Sequence, residues 1–279
     1  MKISAWLFLK DLFPEKRNFF DKLLVENLVK KSLFISNKKE LIFSSLKESG
    51  LDGIELLIFP DPTDKEIKKA KQIFDKNKIE VLSIHQPLED LLTISLDKIN
   101  KLFKIAKLLE AKVIVIHLNA IAGKIKDGQF LSDLKKLERK YEVKIGVEND
   151  HNSPISFFRP YVSKSSLFSE VIIKNNLSII FDTTHLAQSG GDILEFYNQN
   201  KNRIINIHLS DYKKGLLNKY FFLNKDMHMP LGDGTLPIKN LLKILKKDKY
   251  QGLITLEVTG NLLGMIKSAK FIRNILNEN

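Results

Sequence analysis

The chain has no cysteine among its 279 residues. Disulfides, thiolate metal sites and a cysteine nucleophile are excluded, so a bound metal would have to sit on histidine, aspartate and glutamate. Histidine itself occurs only six times, which makes each placement informative. No apolar run approaches the roughly 20 residues that span a bilayer. The N-terminal AWLFL is followed at once by Lys10 and Asp11, too soon for a signal segment. A soluble, cytoplasmic protein without a membrane partner is expected. Arginine is scarce, since only Arg17, Arg139, Arg159, Arg203 and Arg273 accompany the lysines in a total of 45 basic residues. The formal charge of +12 suits an anionic partner such as nucleic acid or a sugar phosphate. It arises equally if lysines simply coat solvated helix faces. A glycine-rich nucleotide fingerprint after the first strand is also missing, which counts against an open, doubly wound sheet.

What is present is alternation. Apolar, β-branched runs at 2–8, 53–59, 81–87, 113–118, 144–149, 177–185, 204–211 and 253–258 read as strands buried on both faces. Between them lie amphipathic segments. DKEIKKAKQIFDKNK puts Ile67, Ala70 and Phe74 on one stripe, and LDKINKLFKIAKLLE does the same with Ile99, Leu102, Phe103 and Ala106. Further helices are expected over 38–49, 130–141, 163–175, 190–200, 237–247 and 262–277. Eight strands alternating with about eight helices predict an α/β fold, a (β/α)8 TIM barrel. No linker or low-complexity tract divides residues 1–279, so one domain is expected. Residues 9–37 are the longest irregularity. Phe19, Phe20, Leu23, Leu24 and Leu28 there suggest a helical insertion over one mouth of the barrel.

The polar residues of interest share one position. His85, His117, Glu148, Asp182, His185, His208 and Glu257 lie at the ends of successive strands, and Asp226 and His228 follow in the loop after the seventh. In a barrel all of them converge on the C-terminal mouth, where active sites of this fold sit. Singly, each has a plain explanation: a strand-end histidine satisfied by hydrogen bonds, Asp182 capping a helix, glutamates paired with lysine. Together they do not, because three carboxylates in one low-dielectric mouth would repel one another without a cation. A divalent metal is therefore expected.

The motifs GVEND, FDTTHLAQSGGD, NIHLSDYKKG, DMHMPLGDGTLPI and TLEV resemble the strand-end motifs of the xylose isomerase-like TIM-barrel superfamily (AP endonuclease family 2). That grouping includes sugar and sugar-phosphate isomerases or epimerases and the endonuclease IV enzymes of abasic-site DNA repair. The endonuclease IV pattern implies up to three Zn2+. His85 and His117 would hold one, bridged by Glu148 to a second completed by Asp182, His208 and Glu257, while His185, Asp226 and His228 would hold the third. That set implies phosphodiester hydrolysis on DNA with abasic sites. The isomerase pattern implies one Zn2+, Mn2+ or other divalent ion on Glu148, Asp182, His208 and Glu257. The two glutamates are then the catalytic acid–base pair, acting on a small phosphorylated sugar. Isomerase relatives often carry arginine at the position of His228, so histidine there favours the cluster. Against that, LNAIAG after His117 and DHNSP after Asn149 depart from endonuclease IV, and HMPLGDGTLPI is shared with isomerase-like members. The hydrolase is the leading expectation and the isomerase or epimerase its alternative.

Two loops offer candidate substrate contacts. HNSPISFFRPY, 151–161, supplies His151 and Arg159 beside Phe157, Phe158 and Tyr161. DYKKGLLNKYFFLNKD, 211–226, supplies Lys213 and Tyr220 among further lysines and phenylalanines. Basic residues interleaved with aromatics suit a phosphate backbone, although the aromatics could equally pack the loops onto the rim.

Overall fold

A computed structural model describes residues 1–13, 39–58, 61–150, 165–213, 227–259 and 262–278. Eight parallel strands close into a barrel in sequence order, the first pairing with both the second and the eighth. They are β1 Lys2–Phe8, β2 Gly53–Leu57, β3 Val81–His85, β4 Val113–His117, β5 Lys144–Glu148, β6 Ser178–Asp182, β7 Ile204–Leu209 and β8 Leu253–Leu256. This is the expected (β/α)8 architecture. Strands β2 to β8 stop one to three residues earlier than the apolar pattern suggests, because their last residues already belong to the mouth. Asp182 caps helix Thr183–Gln188, and Leu118 begins helix Leu118–Ile121. Of the expected insertion at 9–37, Leu9–Leu12 form a 3-10 turn, and 14–38 lie outside the described residues.

The helices form as their periodicity dictates. In Asp64–Asn77, Ile67, Ala70 and Phe74 are buried as one stripe, and Thr63 and Glu66 close a reciprocal capping box, worth about 0.5–2 kcal/mol. The exits repeat. At Gly50, Lys78, Glu110, Glu142, Asn176 and Lys249 the chain turns left-handed (φ between 48° and 72°). The next residue, Leu51, Ile79, Ala111, Val143, Leu177 or Tyr250, donates its N–H back five residues into the helix. This glycine-type stop, used here mostly without glycine, satisfies orphan carbonyls and feeds an apolar residue back towards the sheet.

Strand residues of one parity pack outward against the helices in a single large core that includes Ile54, Leu56, Ile114, Ile116, Phe181 and Ile207. Residues of the other parity fill the lumen, which is divided. Val113, Val115 and Ile180 form a small apolar cluster. Gly146 lies beside it, and a Cβ there would sit 2.1 Å from the Ile180 side chain, which would have to shift to admit it. Ser4, Glu55, Ser83, Asn206 and Thr255 form a buried polar layer, where barrels usually carry branched apolar residues.

Candidate functional site

Register brings the expected residues to one end of the barrel. His117 lies opposite Glu148 on adjacent strands, Asp182 lies opposite His208, and Glu257 follows β8 directly. Glu148 is the hub. Its Oε2 lies 3.4 Å from His85 Nε2 and 3.4 Å from His117 Nε2, while Oε1 lies 3.3 Å from His208 Nδ1 and 3.5 Å from His185 Nδ1. Three overlapping groups could each hold a metal ion: His85, His117 and Glu148; Glu148, Asp182, His208 and Glu257; and Asp182, His185 and His228. Within each group, donor atoms lie within 4.8 Å of one another.

The four-residue group fits a cation on a stricter criterion. Glu148 Oε2, Asp182 Oδ2, His208 Nδ1 and Glu257 Oε2 are all buried without a hydrogen-bond partner among the described residues. Buried polar atoms left so are costly, about 1–3 kcal/mol each and more when charged. His208 Nδ1 is 2.9 Å from Glu257 Oε2, but the two are not aligned to bond. Asp182 serves two ends at once. Its Oδ1 accepts from His185 N at 2.6 Å, capping the short helix, which leaves Oδ2 to the cavity.

Protonation within the cluster follows from burial and charge. Burial pushes His117 down, but the carboxylates of Glu148 and Asp150 outweigh it and raise the imidazole to about 10. His208 goes well above its usual value despite burial, through Glu55 and Glu148. Burial, then the charges of Glu257 and Glu148, push Asp182 well up. Burial alone would raise Glu148 and Glu257, but the neighbouring histidines hold both below the ordinary carboxylate range. Protons thus stand where a divalent ion would offset the same negative charge.

Each imidazole is also anchored from behind. His85 Nδ1 contacts Gln86 O at 2.8 Å, His117 Nδ1 contacts Asp150 Oδ1 at 2.6 Å, His185 Nδ1 contacts Asn149 O at 3.0 Å, and His228 Nδ1 contacts Ser210 Oγ at 3.2 Å. His208 Nε2 lies 3.1 Å from Glu55 Oε1. Outer partners of this kind fix ring orientation in metal sites. His228 is the one left-handed non-glycine residue among those described that does not end a helix, at φ 51°. Strain of that sort costs about 1–3 kcal/mol and persists only where surroundings enforce it. Here Thr259 holds the His228 carbonyl through its N–H at 2.7 Å and its hydroxyl at 3.1 Å. Asp211 accepts from the N–H groups of Tyr212, Gly232 and Leu236, which pins the PLGDG turn.

Of the sequence-derived candidates, His85, His117, Glu148, Asp182, His185, His208, His228 and Glu257 meet in this mouth. Asp226, His151, Arg159 and Tyr220 lie outside the described residues, as does most of both candidate substrate loops. Lys213 is described and exposed, and it belongs to none of the three donor groups. Sequence reasoning passed over Glu55, Asp150, Thr259 and Trp6. Trp6 shares the inward face of Ser4 and donates its indole N–H to Val258 O. Glu55 did carry a signal: it is a lone charge inside the apolar run GIELLIF. A cavity of about 780 Å³ at the other end of the barrel, among Lys112, Lys144, Tyr197 and Tyr250, contributes nothing to these groups. No helix among the described residues is long and apolar enough to cross a membrane.

Comparison with known proteins agrees with the barrel fold. An uncharacterised protein of Methanocaldococcus jannaschii is 29% identical over 237 residues, covering 76% of this chain and 75% of the relative. Inosose dehydratase of Clostridium perfringens is 29% identical over 118 residues, 37% of this chain and 40% of that enzyme. Among solved structures, a D-tagatose 3-epimerase-like protein superposes with a TM-score of 0.67 at 21% identity, covering 99% of this chain and 97% of the other. The IOLI protein, solved with a bound zinc atom, gives 0.66 at 17% identity, covering 99% and 98%. Two of these relatives carry an activity in their names, an inosose dehydratase and a D-tagatose 3-epimerase-like protein. The model of the family described as xylose isomerase-like TIM barrel matches residues 43–275, and the chain belongs to that family.

Proposed function

We propose that the chain is a divalent-metal-dependent enzyme that isomerises or epimerises a sugar or sugar phosphate, with Glu148 and Glu257 as its acid–base pair. The observation that carries this reading is the convergence of four buried, unbonded donor atoms on Glu148, Asp182, His208 and Glu257. Those residues would hold one cation, and a bound divalent ion polarises the carbonyl and hydroxyl oxygens of such a substrate. Glu257 is the most open of the four, its side chain 20% exposed against 1% for Glu148, and it meets the incoming sugar. Because its carboxyl is held below the usual range by His228 and His208 against the effect of burial, it stands ionised and takes the proton from the carbon beside the carbonyl. Glu148 serves the return transfer from the floor of the mouth. Epimerase and dehydratase relatives support this choice over the DNA-repair reading.

A second reading has its own observation. His85, His117 and Glu148 form one further donor group, and Asp182, His185 and His228 form another, as a multi-cation phosphodiester hydrolase would require. Metal content per chain, measured together with two assays, separates the readings. The first assay follows deuterium uptake from solvent beside the carbonyl of ketohexoses, ketopentoses and their phosphates. The second follows cleavage of an abasic-site duplex. About one ion per chain, with deuterium exchange lost in Glu257→Gln, supports the isomerase. About three ions with strand cleavage and no exchange supports the hydrolase.

A further inference from the structure

The polar layer beneath the mouth has no role in either reading. Ser4, Glu55, Ser83, Asn206 and Thr255 come from five strands that are remote in sequence, and all are at most 2% exposed. Glu55 is their centre. Its Oε2 accepts from Ser83 Oγ at 2.6 Å and Asn206 Nδ2 at 3.1 Å, with Thr255 Oγ1 at 3.4 Å. Thr255 in turn bonds Asn206 and Ser4. Three neighbouring side chains therefore hold this carboxylate in place beneath His208, whose Nε2 lies against both of its oxygens, 3.1 Å from Oε1 and bonded to Oε2 at 3.3 Å. His208 is fully buried, and its other nitrogen, Nδ1, is the one that faces Glu148 and Glu257.

We propose that Glu55 is a positioning residue, whose carboxylate takes the Nε2–H of His208 so that the Nδ1 lone pair is presented to the cation held with Glu148, Asp182 and Glu257. The chemistry requires an acceptor-only group. Ser83, Asn206 and His208 all direct donors at Glu55, and a carboxylate satisfies all three. An amide cannot. With its NH2 towards His208, it would force Nε2 to accept and put the proton on Nδ1, the ligating atom. With its NH2 towards Ser83 and Asn206, two donors would face a donor in a site without water access. The layer is thus the rigid base that selects one tautomer and one ring angle, as outer partners do in histidine metal sites.

The inference rests on metal binding by the four-donor group. The test is the dissociation constant of the first equivalent of Zn2+ on the full chain, measured by competition with a chromophoric chelator. Glu55→Gln is expected to weaken it about 10- to 100-fold. Ser83→Ala removes one bond onto the same carboxylate but not its contact with His208, and is expected to weaken it by less than Glu55→Gln does. In the zinc-loaded wild type, long-range 1H–15N correlation is expected to show His208 protonated on Nε2 and coordinated through Nδ1, a readout that needs no variant to fold. Coordination through Nε2, or a folded Glu55→Gln chain that binds as tightly as wild type, overturns the inference and leaves the metal site standing. A wild-type chain that takes up no Zn2+ or Mn2+ overturns both.

Discussion

The two halves of the mouth are built on different principles. Around β5 to β8, Glu148, Asp182, His208 and Glu257 offer three carboxylates and one imidazole, every one with a donor atom that bonds nothing described. Around β3, β4 and the loop after β7, the groups are histidine-rich, and each borrows its carboxylate, Glu148 or Asp182, from the first. The first half is complete for one ion. The second is not complete without the first, so any further ion would share a ligand with one already held. Single-ion chemistry therefore needs only the carboxylate half, and the histidine half decides whether the site goes beyond it.

Glu148→Gln should have the largest effect, because it touches both halves. An amide keeps the volume but loses an anionic ligand and a proton acceptor, so the loss of turnover should reach about 10²–10⁴-fold. First-equivalent Zn2+ affinity should fall in the same variant. Turnover and affinity both within a factor of two of wild type would show that Glu148 is not the hub. Next comes pH. Burial and neighbouring carboxylates raise Asp182, and neighbouring carboxylates raise His208 despite burial, so a binding ion competes with protons in the four-donor group. Affinity should therefore rise with pH between 6 and 8, about tenfold per unit for each proton released. Calorimetry in buffers of different ionisation heat counts those protons. A flat profile would mean the cluster is not protonated as its charges imply.

How much of this was legible depended on whether a residue's neighbours were local. The eight strands were readable because parallel strands buried on both faces leave continuous apolar runs, and the helix stripe Ile67, Ala70, Phe74 was readable for the equivalent reason. The donors were readable from their common place at strand ends. What escaped is the layer behind them. Asp150 sits two residues past Glu148 yet turns to His117 on the neighbouring strand, and nothing in GVEND says which way it faces. Glu55 is 153 residues from His208, so its meaning exists only once the barrel closes. The dual duty of Asp182 also escaped. Helix cap and candidate ligand look like rival explanations in sequence, but a carboxylate has two oxygens and serves both.

The sharpest test of the comparison is also the smallest in expected size. His228 belongs to the histidine half alone, and it is held in a left-handed conformation by Thr259. If the carboxylate half suffices, His228→Ala should lower sugar isomerisation by less than about tenfold. The variant loses a neighbour that helps hold the Glu257 carboxyl down, but not a ligand of the first ion. Alanine also relieves no backbone strain, since its Cβ meets the same left-handed cost. A phosphodiester hydrolase would instead lose an ion that stabilises the transferring group, and with it most of its rate. Measuring both activities with the metal content of His228→Ala decides the matter. One ion retained with exchange largely intact locates the chemistry in the carboxylate half, whereas collapse of both activities would show that the two halves work only as one.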